Sequence, residues 1–427
     1  MESGKSAITL IILGAIIFAC GCTGTANPSV AEGSMQENVV VQVNVVGVLL
    51  PLTGDSAEGG EACRVALEVA AEDINEYFLS IGSDHRVRLV VEDTATDPAV
   101  ALEKVKAFDE QGIRTVIGPG SSAELEAIRT YADEHGILIA STMSTAPSLA
   151  IAGDTIFRFV PPDTCQADAM ARCLEEDGIA AIVPVWRGDI WGDELQILTA
   201  TAFKTRNGTV LDGVRYTPGS KDYTGVIAAL DREVGEAIAT HGAEKVGVYA
   251  VTIEEVSAIM AAAAETENLT QVRWYGCDGN ILLETLTRPG DAARFAAQTN
   301  FTAPTFWTTR VSASWKDTLQ TIQGRLGRQP DGSGLASYDT LWIVALTETQ
   351  TDSKDPSELK AALTGTTAMF SGKLCAKVDL DEAGDRSTAH YGFWSVKADG
   401  DAYRWMQVAR YDIWSAGVPS KFVRVDA

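Results

Sequence analysis

The sequence predicts an α/β protein made of two successive doubly wound units, and three observations carry that prediction. Short apolar runs alternate with helical patterns along most of the chain. The runs are continuous rather than polar–apolar alternations, as strands covered by helices on both faces must be. The rhythm stops and restarts near residue 179, which makes two sheets a better parse than one. A chain of 427 residues also exceeds a single unit of roughly 100–200 residues.

The first unit opens with the strand-like run "VVGVLL" at 45–50, then a glycine-bearing turn and a helical pattern over 61–77. Further strands are predicted at 88–93 ("RLVVED"), 115–119 ("TVIGP") and 137–141 ("ILIAS"), with helices over 98–110 and 122–134 between them. The second unit reads strand 179–185, helices 191–205 and 222–240, strand 245–251, helix 254–265 and strand 272–276. The last third carries helices over 313–326 and 334–348, then strand-like pieces at 375–380, 391–397 and 404–410.

Ahead of these units lies "AITLIILGAIIFAC", after a short start containing Lys5. It is shorter than the ~20 residues that span a bilayer core. A positive start, an apolar middle and small residues at the end make a secretory signal, residues 1–22. Ala19-Cys20-Gly21-Cys22 resembles a lipoprotein box. Cys22, preceded by Gly and followed by polar Thr-Gly-Thr, is the expected lipidation site; Cys20 or an uncleaved anchor helix are the alternatives. Residues 23–44 begin as a small, polar tether. The expected location is extracytoplasmic, anchored to the outer face of the cell membrane.

A formal net charge of −24 argues against a nucleic-acid partner, which needs clustered Lys and Arg. Cys63, Cys165, Cys173, Cys277 and Cys375 contain no CxxC or His-bearing spacing, so no metal site is expected. Cys165 and Cys173 fall on one helix about 12 Å apart, too far for a disulfide. Cys277 with Cys375 is the one pairing left open.

Catalytic signatures are missing from the pattern. No GxxxxGK[ST] or GxSxG occurs, and "GPGSSA" puts Ala123 where GxGxxG needs its last Gly. His85, His135, His241 and His390 sit in polar contexts and read as surface residues. "DLDEAGD" at 379–385 lacks calcium ligands at Ala383 and His390 and reads as a turn. A binding module with no cofactor is favoured over an enzyme; a phosphate-bearing substrate at 52–61 is the weakest reading.

What remains are loops at the carboxyl ends of strands, where open α/β sheets bind ligands: 51–60, 118–124 and 141–149. In the second, Ser121 and Ser122 open a helix whose unpaired N–H groups and macrodipole favour a carboxylate. The third supplies hydroxyls at Ser141, Thr142, Ser144 and Thr145. Capping a helix is the competing role for each.

With "VGVLLPLTGDSAEGGEACRVALEVAAEDIN", "GIRTVIGPGSSAELEAIRTYADEHGILIASTMSTAPSL", "FRFVPPDTCQADAMA", "DIWGDEL", "WYGCDG" and "ASYDTLWIVALTE" in order, the chain closely resembles the type I periplasmic binding proteins over roughly 45–400. The nearest branch is the leucine/isoleucine/valine receptors that feed ABC importers. The resemblance implies two Rossmann-like lobes joined by three hinge crossovers, with ligand in the cleft between them. Lobe one would be 45–162 plus 305–372, and lobe two 163–304 plus 373–427. It implies an amino-acid ligand, ABC permease subunits as partners and a monomer. A ligand-sensing receptor module of the same fold is the alternative.

Residue by residue, the resemblance places Ser122, with Ser121 beside it, on the ligand's α-carboxylate, helped by the Met143 backbone and Thr145. Asp278 would hold the α-ammonium, Trp191 would line the second lobe, and Thr252 would follow the next strand. The chain departs from those receptors at Gly59, where they carry an aromatic. It departs also at Trp186, Arg187 and Asp189, and at Cys375. Arg187 would meet an anionic or amide ligand side chain, or pair with Asp189 on the surface.

Overall fold

In the computed structural model, β1 (Gln42–Leu50) is buried from Val46 to its end, as a strand in mid-sheet covered on both faces should be. The structure describes residues 41–306, 316–351, 355–370, 372–374, 378–387, 389–412 and 420–425. The expected signal, Cys20, Cys22, Cys375 and most of the tether lie outside the described residues. β1 starts inside the stretch read as tether, because Gln42 to Val45 pair in register with His85 to Arg88 of β2 (His85–Asp93). α1 (Ala57–Ser80) links the two strands. α2 (Pro98–Glu110), β3 (Thr115–Ile117), α3 (Ser122–His135), β4 (Leu138–Ser141) and β5 (Ile156–Arg158) complete a parallel sheet of order β2-β1-β3-β4-β5.

The chain then enters a second sheet. It runs through α4 (Asp163–Glu176), β6 (Ala181–Arg187), α5 (Ile190–Lys204), β7 (Thr209–Val210), β8 (Val214–Tyr216), α6 (Thr224–His241) and β9 (Val246–Val251). α7 (Val256–Ala263), α8 (Glu267–Gln271), β10 (Arg273–Tyr275), α9 (Asp291–Gln298) and β11 (Thr302–Phe306) follow. β7, β6, β9, β10 and β11 are parallel neighbours in that order, and β8 also pairs with β6.

After β11 the chain returns to the first layer as α10 (Lys316–Leu326), α11 (Gly332–Gln350) and α12 (Pro356–Met369). Tyr338 Oη donates to Asp73 at 2.6 Å and Arg325 to Glu72 at 2.6 Å, fixing α11 and α10 against α1. The last crossing leads to β12 (His390–Asp399), β13 (Ala402–Asp412) and β14 (Lys421–Arg424), which extend the second sheet antiparallel. Residues 379–385 form a turn, as expected, with Asp381 Oδ1 accepting from the N–H groups of Ala383 and Asp385.

Strand order positions the site. In open parallel sheets the ligand crevice forms at the carboxyl ends of the strands where the order reverses. That point lies between β1 and β3 in the first sheet and between β6 and β9 in the second. Among the described residues, no helix is long and apolar enough to cross a membrane.

Candidate ligand-binding cleft

The two switch points line one cleft of about 260 Å³, with walls from both lobes. On the first lobe, glycines bring backbone close: a Cβ at Gly60 would stand 2.2 Å from the Pro51 carbonyl oxygen. Ser121 caps α3, accepting from Glu124 N–H at 3.2 Å and donating to Glu124 Oε2 at 2.9 Å. Ser122 Oγ accepts from the N–H groups of Thr145 and Ala146 at 3.2 Å each and shares a hydrogen bond with Ser144 Oγ at 3.0 Å. Both serine side chains therefore serve their own lobe.

What α3 offers the cleft is backbone. The N–H groups of Ser122 and Ala123 have no acceptor within the helix, and both residues line the cavity at its positive end. Met143 lines the cavity too. Thr145 is 4% exposed, and its Oγ1 has no hydrogen-bond partner. The Asp163 carboxyl lies beside this hydroxyl, close enough for the hydroxyl to offset part of the rise in its pKa but outside ideal hydrogen-bond geometry, and Thr145 lines a small void shared with Asp278, Asp331 and Ser333.

On the second lobe, Asp189 caps α5 through Gly192 N–H at 2.9 Å, which sets Trp191 in the first turn facing the cavity. A Cβ at position 279 would lie 2.7 Å from Trp191 Cη2, so Gly279 lets the indole rest against the turn that carries Asp278. Asp278 N–H donates to Gln166 Oε1 at 2.7 Å, while its own Oδ1 is buried without a partner. Burial pushes the Asp278 carboxyl up to about 6, and nearby Asp331 adds to the rise. Asp163 is raised as well, by burial first and then by Asp278.

Thr252 does not reach the cavity. It is fully buried, and its Oγ1 accepts from the Asn280 amide at 2.9 Å behind the wall. The next two residues, Ile253 and Glu254, line the cleft instead. β9 ends at Val251, and the chain turns there; counting from the strand could not place the side chain that emerges. Arg187 pairs with Asp189 at 2.6 Å, as one reading expected, but also with Glu255 at 2.8 Å. It is 4% exposed and faces the cavity rather than lying on the surface. None of the four histidines lines the cleft.

The lobes meet around this cavity. Glu58 of α1 accepts from Glu284 N–H at 2.6 Å, and its own N–H donates to Glu254 Oε1. Glu254 N–H donates to the Asp55 carbonyl at 3.3 Å, and Ser148 N–H to Glu194 Oε2 at 3.2 Å. Glu254, half-buried and close to Glu58 and Glu255, has its carboxyl pushed up to about 8, by desolvation first.

A two-lobed α/β protein whose interlobe cleft gathers loops from the switch points of both sheets, with charged groups set in a largely apolar lining, has the architecture of a solute receptor. The comparisons give the family. Residues 45–401 match the model of the periplasmic binding protein family, and the chain belongs to that family, in the type I group of the leucine/isoleucine/valine receptors. It is 28% identical over 424 residues to an uncharacterized protein of Methanocaldococcus jannaschii, covering 94% of this chain and 96% of that one. It is 27% identical over 223 residues to the Leu/Ile/Val-binding protein of Escherichia coli K12, covering 51% and 57%. Among solved structures it is similar to a leucine-binding protein from Thermotoga maritima, with a TM-score of 0.69 at 19% identity, over 85% of this chain and 97% of that one. The chain is thus a solute-binding protein, not an enzyme, and its family works outside the cytoplasmic membrane.

Proposed function

We propose that the protein captures an amino acid or close analogue between its lobes and delivers it to an ABC permease. One observation carries this reading: a buried carboxylate oxygen without a partner on one lobe, Asp278 Oδ1, meets the buried Thr145 hydroxyl of the other at one void. Buried polar atoms left unpaired are costly, so a solute with donors of its own is the natural complement. The α3 N-terminus offers the opposite polarity, suited to a carboxylate. Neither lobe alone completes such a zwitterion site, so binding favours closure about the interlobe crossings. The lobes would be 45–162 plus 305–372 and 163–304 plus 373–427.

Calorimetry against amino acids, amides and small carboxylates tests this. Asp278→Ala and Thr145→Ala should each weaken the best ligand at least tenfold, about 1.4 kcal/mol. Parent-like affinity in either variant removes that residue from the site. Anchoring through Cys22 is part of the same proposal, since a lipid holds the receptor beside its permease. Cys22→Ser should release the protein from membranes, and retention there would refute it.

A further inference from the structure

The cleft carries more negative charge than an amino acid with a neutral side chain can answer. Among the described residues, Glu58, Asp189, Glu254, Asp278 and Asp331 line it against Arg187 and Arg328. Arg187 is taken by Asp189 and Glu255. Arg328 lies on Glu58, donating to its carbonyl oxygen with Nε 3.9 Å from its carboxylate. Asp163, Asp278, Asp331 and Glu254 form no ion pair among the described residues.

Structural roles absorb only part of this excess. Asp331 caps α11 through Gly334 N–H at 2.8 Å, and Asp163 Oδ1 accepts from Gln166 at 3.1 Å. Asp163 is fully buried, yet its Oδ2 is unclaimed, as are Asp278 Oδ1 and Thr145 Oγ1. Thr145 and Asp278 meet at the small void beside the cleft, lined also by Asp331, where one ammonium would satisfy them. Glu254 is a second acidic point. It caps no helix and accepts one N–H, from Glu58. The neighbouring Gly59 carries no side chain, and only Met143 Cε lies within 4 Å of where its Cβ would be, at 3.2 Å.

At about 260 Å³ the cavity is close to the ~300 Å³ lower end of small-molecule sites, which suits a solute the size of one free amino acid. We infer that the solute is a basic amino acid. Its α-ammonium sits among Asp278, Asp331 and Thr145, its carboxylate on the first N–H groups of α3, and its side-chain ammonium or guanidinium at Glu254. This assignment rests on the amino-acid reading above and narrows it.

Calorimetry on the full-length protein with L-lysine, L-arginine, L-leucine, L-norleucine and cadaverine decides it. Lysine or arginine should bind at least a hundredfold tighter than norleucine, which matches lysine's chain but lacks its terminal charge. Leucine or norleucine binding as tightly as both basic amino acids overturns the charge assignment and leaves the amino-acid reading standing. Cadaverine, which lacks the carboxylate, binding as tightly as lysine overturns both, and so does silence across the panel. Glu254→Gln should cost the basic ligand at least tenfold and narrow its lead over norleucine. An unchanged ratio in a variant that melts like the parent would remove Glu254 from the assignment.

Discussion

Arg158 fastens the last crossing of the chain to the end of β5. Its side chain is 1% exposed; Nε donates to Asp385 Oδ1 at 2.6 Å, Nη2 to Asp385 Oδ2, and Nη1 to the Ala146 carbonyl at 2.6 Å. Removing one partner of a buried pair strands the other, which costs about 3–5 kcal/mol. Arg158→Met should therefore lower unfolding stability by that amount in urea titration, and Asp385→Leu added to it should recover part of the loss. No gain in the double variant would mean the pair is not the source. Neither half of this pair is legible in the sequence, since the two stand 227 positions apart and each sits in an ordinary polar context. Ser122 shows a subtler limit. Its place at the cleft is readable from the glycine-rich turn, but its hydroxyl is spent on Thr145 and Ala146 N–H groups that only the fold brings near.

At the scale of elements, legibility follows local signals. α2 is predicted to the residue because Asp97 and Pro98 form a cap and a first turn, with Asp97 Oδ1 accepting from Ala99 N–H at 2.8 Å. The central strands of both sheets are readable as unbroken apolar runs. β7 has two residues and β14 four, too few to show a period. β11 contains Pro304, which argues against a strand, yet it is buried throughout and pairs with β12. α12 carries a start signal at Asp355, whose side chain accepts from Ser357 and Glu358 N–H groups, but its Gly365 and clustered threonines mask the helical pattern. The cleft itself is legible in outline because switch-point loops follow from strand order. The residue that emerges after β9 is not, because a turn has no period to count by. Sequence reasoning misses Glu254 for that reason, although an acid shortly past a strand end at a switch point is a signal that could have found it.

For the whole molecule, burial of acids against acids makes stability depend on pH in an unusual direction. Burial raises Asp278 and Asp154 to about 6, Glu348 to about 7 and Glu254 to about 8. Each holds its proton more firmly folded than unfolded, so the native state binds more protons across this interval. The stability this supplies is complete below the ordinary carboxylate range near 4 and is lost as pH climbs from about 5 to 8.5. Glu61, Asp93 and Asp193 move downward, favouring the fold at higher pH, but that contribution is lost only as pH falls below about 4; His390, lowered by burial, offsets part of the loss as pH rises toward its usual value near 6.5. A tenfold change in one group's acidity is worth about 1.4 kcal/mol before solvent and relaxation reduce it. A net loss of stability is therefore expected between about pH 5 and 8.5. Melting of the ligand-free protein should show a midpoint that falls steadily over this range. A saturating basic amino acid should flatten the slope, because its ammonium groups let Asp278 and Glu254 ionise in place, with protons released to buffer as it binds. A ligand-free midpoint that holds level or rises with pH would mean these carboxyls are ionised in the empty cleft, and the charge excess would then need a partner inside the protein.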